Sequence, residues 1–301
     1  MPKDIYVGIN GVARKVKKMY GGIGGGVREI KEIYANIGGV TRKIWASTVP
    51  AGQIVFGFTQ NWTVPEGVYS IDVFLVGGGG GPGGAYEYFS SSSTSQTYNS
   101  LVLSGGDGGC GYTATYKNVA VTPGQVILAT IGAGGARGME YYLHVADGRN
   151  NWGGDTQSPD GTTDGQDGNP SSFGGLSVAG GKGGKRGVYS GARNGAGGAG
   201  GSGGGAGERF KFNRSSNGTE TITYDNPRGL MGYDGGNGGN STNGTAGGAG
   251  QGYSTRAFGE PGGELYASIG SASYRGMGGT WRGSAVDNGS EGLVIIRWAE
   301  Q

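Results

Sequence analysis

Apolar and polar positions follow three different periods along this 301-residue chain, and each period predicts a different kind of element. Residues 5–45 carry a 14-residue repeat in which Ile9, Ile23 and Ile37 recur, as do Gly11, Gly25 and Gly39 and the pair Tyr20 and Tyr34. Each unit has a short apolar strand, a tight turn containing Gly (Asn10-Gly11 in the first) and a second strand. From Gln53 the pattern becomes that of buried or alternating strands, in QIVFGF, WTVPEG, YSIDVFLV and the closing GLVIIRW at 292–298. YTATYKNVAV at 112–121, the turn Thr122-Pro123-Gly124-Gln125 and VILATIG read together as a hairpin. These runs hold most of the Val, Ile and Leu, so they are expected to pair into a small β-sandwich.

The third period is three. In residues 234–252, Asp234, Asn237, Asn240, Asn243, Ala246, Ala249 and Gly252 fall on one phase, and the places between are mostly Gly. The same phase holds Ala196, Ala199 and Ser202; Ser104, Asp107 and Cys110; and Ala179, Lys182 and Lys185. Three matches neither the 3.6 of an α-helix nor the 2 of a strand. It is the period of polyproline II, which has no internal hydrogen bonds, so a packed copy must bond sideways to its neighbours. Such neighbours approach closely only where no Cβ intervenes, which leaves one edge in three for a side chain. Collagen needs one Gly per triplet and abundant Pro, whereas here Gly comes in pairs and there are nine Pro. A flexible Gly linker would not keep a triplet phase between Tyr-rich inserts. The expectation is a bundle of polyglycine II helices.

Composition reinforces this picture. With 74 Gly and 34% apolar residues the chain cannot build a large conventional core, so a small apolar platform must pin a scaffold held by lateral hydrogen bonds. The predicted fold class is all-β with polyglycine II helices: a small β-sandwich carrying the bundle, preceded by a short β-repeat module, with almost no α-helix. The expected division is 1–46 for the repeat module, 47–52 for a linker and 53–301 for the glycine-rich remainder. The net charge of +2 is unevenly placed, since residues 1–45 hold nine Lys/Arg against three Asp/Glu. Alternating strands with a lysine face account for this, and no nucleic-acid partner is expected.

Candidate chemistry is sparse. Phosphate-loop patterns carry no information at this Gly content, and no Walker-type lysine motif is present. His144 is the only histidine and Cys110 the only cysteine, which excludes the usual zinc sets and any intrachain disulfide. Asp155, Asp160, Asp164 and Asp167 match no EF-hand spacing and read as a solvated acidic turn. No cofactor, metal or enzymatic activity is expected. Residues 1–8 have no apolar core of a signal peptide, and no run approaches the ~18 residues of a membrane span.

Two resemblances sharpen the reading. The tandem units GINGVARKVKKMY, GGVREIKEIY and GGVTRKIW are similar to N-terminal segments of minor tail proteins from phages and phage-like particles of Gram-positive bacteria. WTVPEGVYSIDVFLVGGGGG, VAVTPGQVILATIGAGG, GGLSVAGGKGG and EGLVIIRW resemble a glycine-rich domain family over residues 53–299. That family includes polyglycine II adhesin tips of phage tail fibres and the glycine-rich region of anaplastic lymphoma kinase. The resemblance implies a jelly-roll or TNF-like sandwich, a location in a virion or particle tail after synthesis in the bacterial cytoplasm, and attachment to tail or baseplate proteins through residues 1–46. A homotrimer fits the tail-fibre resemblance, although three-fold symmetry is not written in the residues.

Between the Gly tracts lie inserts at 85–104, 136–152, 208–233 and 253–281, rich in Tyr, Phe, Ser, Asn and Arg. Rigid aromatics among small polar residues form the mixture paratopes use, and loops on a stiff scaffold are where recognition usually sits. The receptor-binding candidates are Tyr86, Tyr88, Phe89, Tyr98, Tyr141, Tyr142, Phe210, Phe212, Tyr224 and Trp281. The alternative for such aromatics is to cap bundle ends and fill local cores. The functional expectation is a tail-fibre or tail-tip adhesin for a bacterial surface glycan or protein. Its rivals are a tail spacer or decoration protein, a surface-glycan hydrolase, and ice or mineral binding by flat polyglycine faces.

Overall fold

The computed structural model describes residues 6–9, 12–16, 18–23, 26–37, 39–46, 49–156, 158–226, 228–239, 246–282 and 285–300. Residues 77–84, GGGGGPGG, form the axis of the molecule. Gly78, Gly79 and Gly80 donate to the carbonyls of Asn169 (3.0 Å), Ser290 (2.8 Å) and Gly109 (2.8 Å). Their own carbonyls accept from Gly181, Gly135 and Gly279, each at 2.8 Å. Three successive residues thus reach six neighbouring segments, the arrangement expected where three residues make one turn of a helix without internal bonds. A Cβ on Gly79, Gly80 or Gly81 would lie closer than 3.0 Å to a neighbouring backbone carbonyl. The axis therefore has no triplet phase, because all its sides are packed. Outer segments keep one free edge, and Ala196, Ala199, Lys182 and Lys185 stand on such edges, half-buried or exposed.

The bundle grows from a β-sandwich. One antiparallel sheet orders Thr113–Ala120, Ser70–Val76, Leu293–Trp298 and Gly52–Phe56, and the other orders Leu176–Val178, Ser171–Phe173, Val126–Thr130 and Gln60–Thr63. Phe56, Trp62, Val73, Leu75, Ile127, Phe173, Val294 and Ile296 pack between them. The outer side of the first sheet carries a second core, in which Phe74 meets Phe258 and Tyr266 at ring centroids of 5.9 and 5.7 Å. The insert at 253–281 therefore contributes core filling through Phe258 and Tyr266. The Thr122–Gln125 turn forms, with Gln125 N–H bonded to Thr122 O at 2.9 Å and Gly124 at φ +78°. It does not close a hairpin. Thr113–Ala120 pairs with Ser70–Val76 while Val126–Thr130 pairs in the opposite sheet, because Val121 is drawn into the core between them.

At the other end of the bundle, three inserts pair into one sheet ordered Arg149–Gly154, Tyr141–Ala146, Tyr86–Ser92, Thr97–Leu103, Arg209–Arg214 and Glu220–Asn226. Segments read from sequence as loops are thus hairpins, and only their tips at 93–96, 147–148 and 215–219 are turns. Register runs unbroken between the two ends. Val76 pairs with Thr113, Gly77, Gly80 and Gly83 donate to Tyr112, Gly109 and Gly106, and Tyr86 pairs with Leu103.

The 14-residue repeats form separate antiparallel hairpins, Tyr6–Ile9 with Val12–Lys15, Met19–Ile23 with Gly26–Ile30, and Glu32–Ile37 with Val40–Ala46. Two residues separate each pair of strands; the Asn10-Gly11 turn lies outside the described residues, as do Asn240 and Asn243 of the triplet line. Residue 52 pairs with Trp298, at the end of the sandwich remote from the bundle. The chain therefore enters opposite the distal sheet.

Candidate functional site

The distal sheet has two unlike faces, fixed by strand parity. Tyr86, Tyr88, Leu101, Leu103, Tyr141 and Leu143 lie on one face and pack together with Ala192 from the 188–193 turn. Tyr86 and Tyr141 stack with centroids 5.1 Å apart and planes 1° from parallel, and Tyr189 closes on Tyr86 at 4.9 Å. Both are buried, and burial pushes both phenols above their ordinary range. As candidates for surface recognition Tyr86 and Tyr141 are corrected: they seal the joint between bundle and sheet.

The opposite face carries Phe89, Tyr98, Tyr142, Phe210 and Phe212, all half-buried. Phe89 holds His144 edge-on at 4.5 Å and lies 6.3 Å from Tyr98, over which the Arg214 guanidinium sits at 5.8 Å. His144, set aside as a zinc ligand, is the residue that composition missed here; its register opposite Phe89 is what places it. Ser91, Ser100 and Asn151 interleave with the rings. Of the other candidates, Tyr88 is half-buried on the first face. Tyr224 pairs through its backbone with Phe210, and Trp281 begins a short distal hairpin with Ala285–Val286. The side chains of both lie outside the described residues.

Charges are placed at the margins. Glu87 stands at the base of the Phe89 face, where burial first, then Glu140 and Glu208, raise its carboxyl above the usual range. At the tip, Asp147 accepts from Ser93 N–H at 2.7 Å and from Ser93 Oγ at 3.0 Å, and these bonds hold its carboxyl below the usual range. Arg214 pairs with Glu220 at 3.7 Å.

The aspartates on the flank form a ladder with cations. Lys182 reaches Asp167 at 2.7 Å and Lys185 reaches Asp164 at 2.8 Å, while each carboxylate also accepts a backbone N–H, from Gly183 and Arg186. Triplet phases on adjacent antiparallel segments bring these edges together, which accounts for the acidic turn. Among the described residues no group of His, Cys, Asp and Glu has the arrangement of a metal site. Cys110 is buried, with Sγ 3.3 Å from Met231 Sδ, and burial pushes its thiol up to about 12.

A family model described as a glycine-rich domain matches residues 55–299. The chain belongs to this glycine-rich domain family. Its matched span takes in the sandwich, the bundle and the distal sheet, and leaves the N-terminal hairpins outside. No curated protein matches the chain.

Proposed function

We propose that this glycine-rich chain is a tail-tip adhesin of a phage or phage-like particle, attached through its N-terminal hairpins and presenting the distal sheet to a bacterial surface receptor. One observation carries the reading: a bundle bonded on all sides separates the end where the chain enters from a sheet built of the aromatic inserts. Residues 77–84 alone extend roughly 25 Å at ~3.1 Å per residue. Binding is non-covalent, and repeated copies on one particle sum weak contacts into avidity. The basic hairpins, each too small to be stable alone, gain their stability from a tail partner or from neighbouring copies, including a homotrimer.

The test is adsorption of the labelled chain to a panel of Gram-positive cells. Saturable binding that disappears when residues 209–226, the edge hairpin, are replaced by a short turn supports the reading. Incorporation into particles without adsorption by the chain or the particles favours a spacer or decoration protein instead.

A further inference from the structure

We propose that the Phe89 face of the distal sheet is a binding site for a neutral glycan, so that recognition is carried by a strand face and not by the turns at its tip. The proposal rests on the adhesin reading and assigns that adhesin its ligand class.

Four features of the face lead there. Phe89, Tyr98, Tyr142, Phe210 and Phe212 form rows of half-buried rings on neighbouring strands, and none of them belongs to a core cluster of the described residues. Sugar rings present C–H faces that stack on aromatic rings, while their hydroxyls seek hydrogen bonds. Ser91, Ser100 and Asn151 supply such partners between the rings. His144 Nε2 is buried beside Phe89 and has no hydrogen-bond partner among the described residues, a polar atom that a hydroxyl reaching in would satisfy.

Charge selects among glycans. The cations on this side, Arg149 and Arg214, sit at the rim, and Arg214 is engaged by Glu220. Glu87 stands at the base. Glu220 offsets Arg214, the cation over the Tyr98 ring, and Glu87 lies below the rings, so the face offers an anionic polymer little net positive charge and a neutral chain fits best.

The experiment uses the full chain on an array of immobilised neutral oligosaccharides of hexoses and N-acetylhexosamines. The proposal expects at least one of them to be bound. Phe89→Leu and Phe212→Leu, which keep an apolar strand residue but remove the ring, should each weaken that binding about tenfold. Lys211→Ala, exposed on the opposite face, should leave it unchanged. No binding to any neutral glycan overturns the proposal, as does binding that both ring variants retain. Concentration-dependent self-association lost in Phe212→Leu also overturns it, because the face is then an interface between copies. Periodate oxidation of cells separates the two levels. Adsorption that survives it and ignores both ring variants removes the glycan and leaves the adhesin, whereas no adsorption to any strain removes the adhesin reading itself.

Discussion

Gly80→Ala is the sharpest test of the bundle. Its Cβ would stand 2.9 Å from Gly183 N and closer still to the carbonyl of Lys182, and both are backbone atoms that no rotamer change can move. Residues 179–187 would have to shift outward. That shift disturbs Gly181, Gly184 and Gly187 N–H donating to Gly78, Gly81 and Gly84, at 2.8, 2.9 and 2.9 Å. Each buried backbone group left unpaired costs roughly 1–3 kcal/mol, so losing even these contacts costs about 3–9 kcal/mol. Against a typical total of about 5–15 kcal/mol, this is most of the stability of a domain. The Tm should therefore fall by roughly 6 °C or more, taking about 2 °C per kcal/mol for a chain larger than 150 residues. Gly262→Ala is the control, because nothing lies within 4 Å of its Cβ position. There the loss of unfolded-state freedom should leave stability unchanged or raise it by up to about 1 kcal/mol. Calorimetry on both variants, with amide exchange at the central glycines, decides the matter. If Gly80→Ala melts with the wild type, the close-packed backbone described above is wrong.

Inserting one Gly after Gly81 should break the register between residues 77–84 and their neighbours and expose the distal amides to exchange, while an insertion at 93–96, an exposed turn, leaves protection intact. Arg228→Met leaves the Asp107 carboxylate, buried in the bundle, without its guanidinium, and should cost about 3 kcal/mol or more in denaturant unfolding. Acid should destabilise the flank. The Arg137 hydrogen bond lowers Asp155, and for Asp164 and Asp167 burial raises the pKa but the bonds from Lys185, Arg186, Lys182 and Gly183 outweigh it. Stability from these groups is present above the ordinary carboxylate value of ~3.9 and is lost as pH falls through their lower folded values. Glu87, shifted upward, acts with the opposite sign, its contribution being lost as pH rises through its folded value, so the Tm should drop below about pH 4 with a partial offset; a flat profile from pH 6 to 3 refutes the assignment. Cys110 should resist thiol reagents in the native protein and react fully only after unfolding.

The scaffold was legible because its steric rule is local. One Cβ per turn marks the free edge of a polyglycine II helix, and Ala196, Ala199, Lys182 and Lys185 display that rule directly. Where the rule tightens, the signal vanishes, and residues 77–84 read as plain Gly because every side is occupied. Pairing was less legible. Pro123-Gly124 predicts its turn correctly, yet which sheet each flanking strand joins depends on Val121 meeting a core made by residues as distant as Ile296. The distal sheet is assembled from partners such as Tyr86, Leu103 and Tyr141, which no window of sequence holds together. Composition grouped the aromatics as one set. Parity divides them, since Tyr86 and Tyr88 are even and Phe89 odd, and a strand reading of residues 86–92 would have placed them on opposite faces.

The unbroken register ties the two ends of the molecule into one mechanical unit. Polyglycine II rises ~3.1 Å per residue and a strand about 3.3 Å, so eight residues accumulate a mismatch of only about 2 Å. Adjacent strands can therefore leave the sandwich, cross the bundle as polyglycine II and pair again at the far end in the alignment they started with. The parallel pairing of Tyr86–Ser92 with Tyr141–Ala146 follows from the same cause. Gly135 and Gly138 donate to Gly79 and Pro82, Tyr141 donates to Ala85, and the two strands continue that line. The positions of Phe89 and His144 relative to each other are thus set by backbone hydrogen bonds between glycines, not by the packing of the rings. Substitutions on the Phe89 face therefore change its exposed surface without touching the backbone bonds that hold it in place, which is the property the proposed recognition role requires.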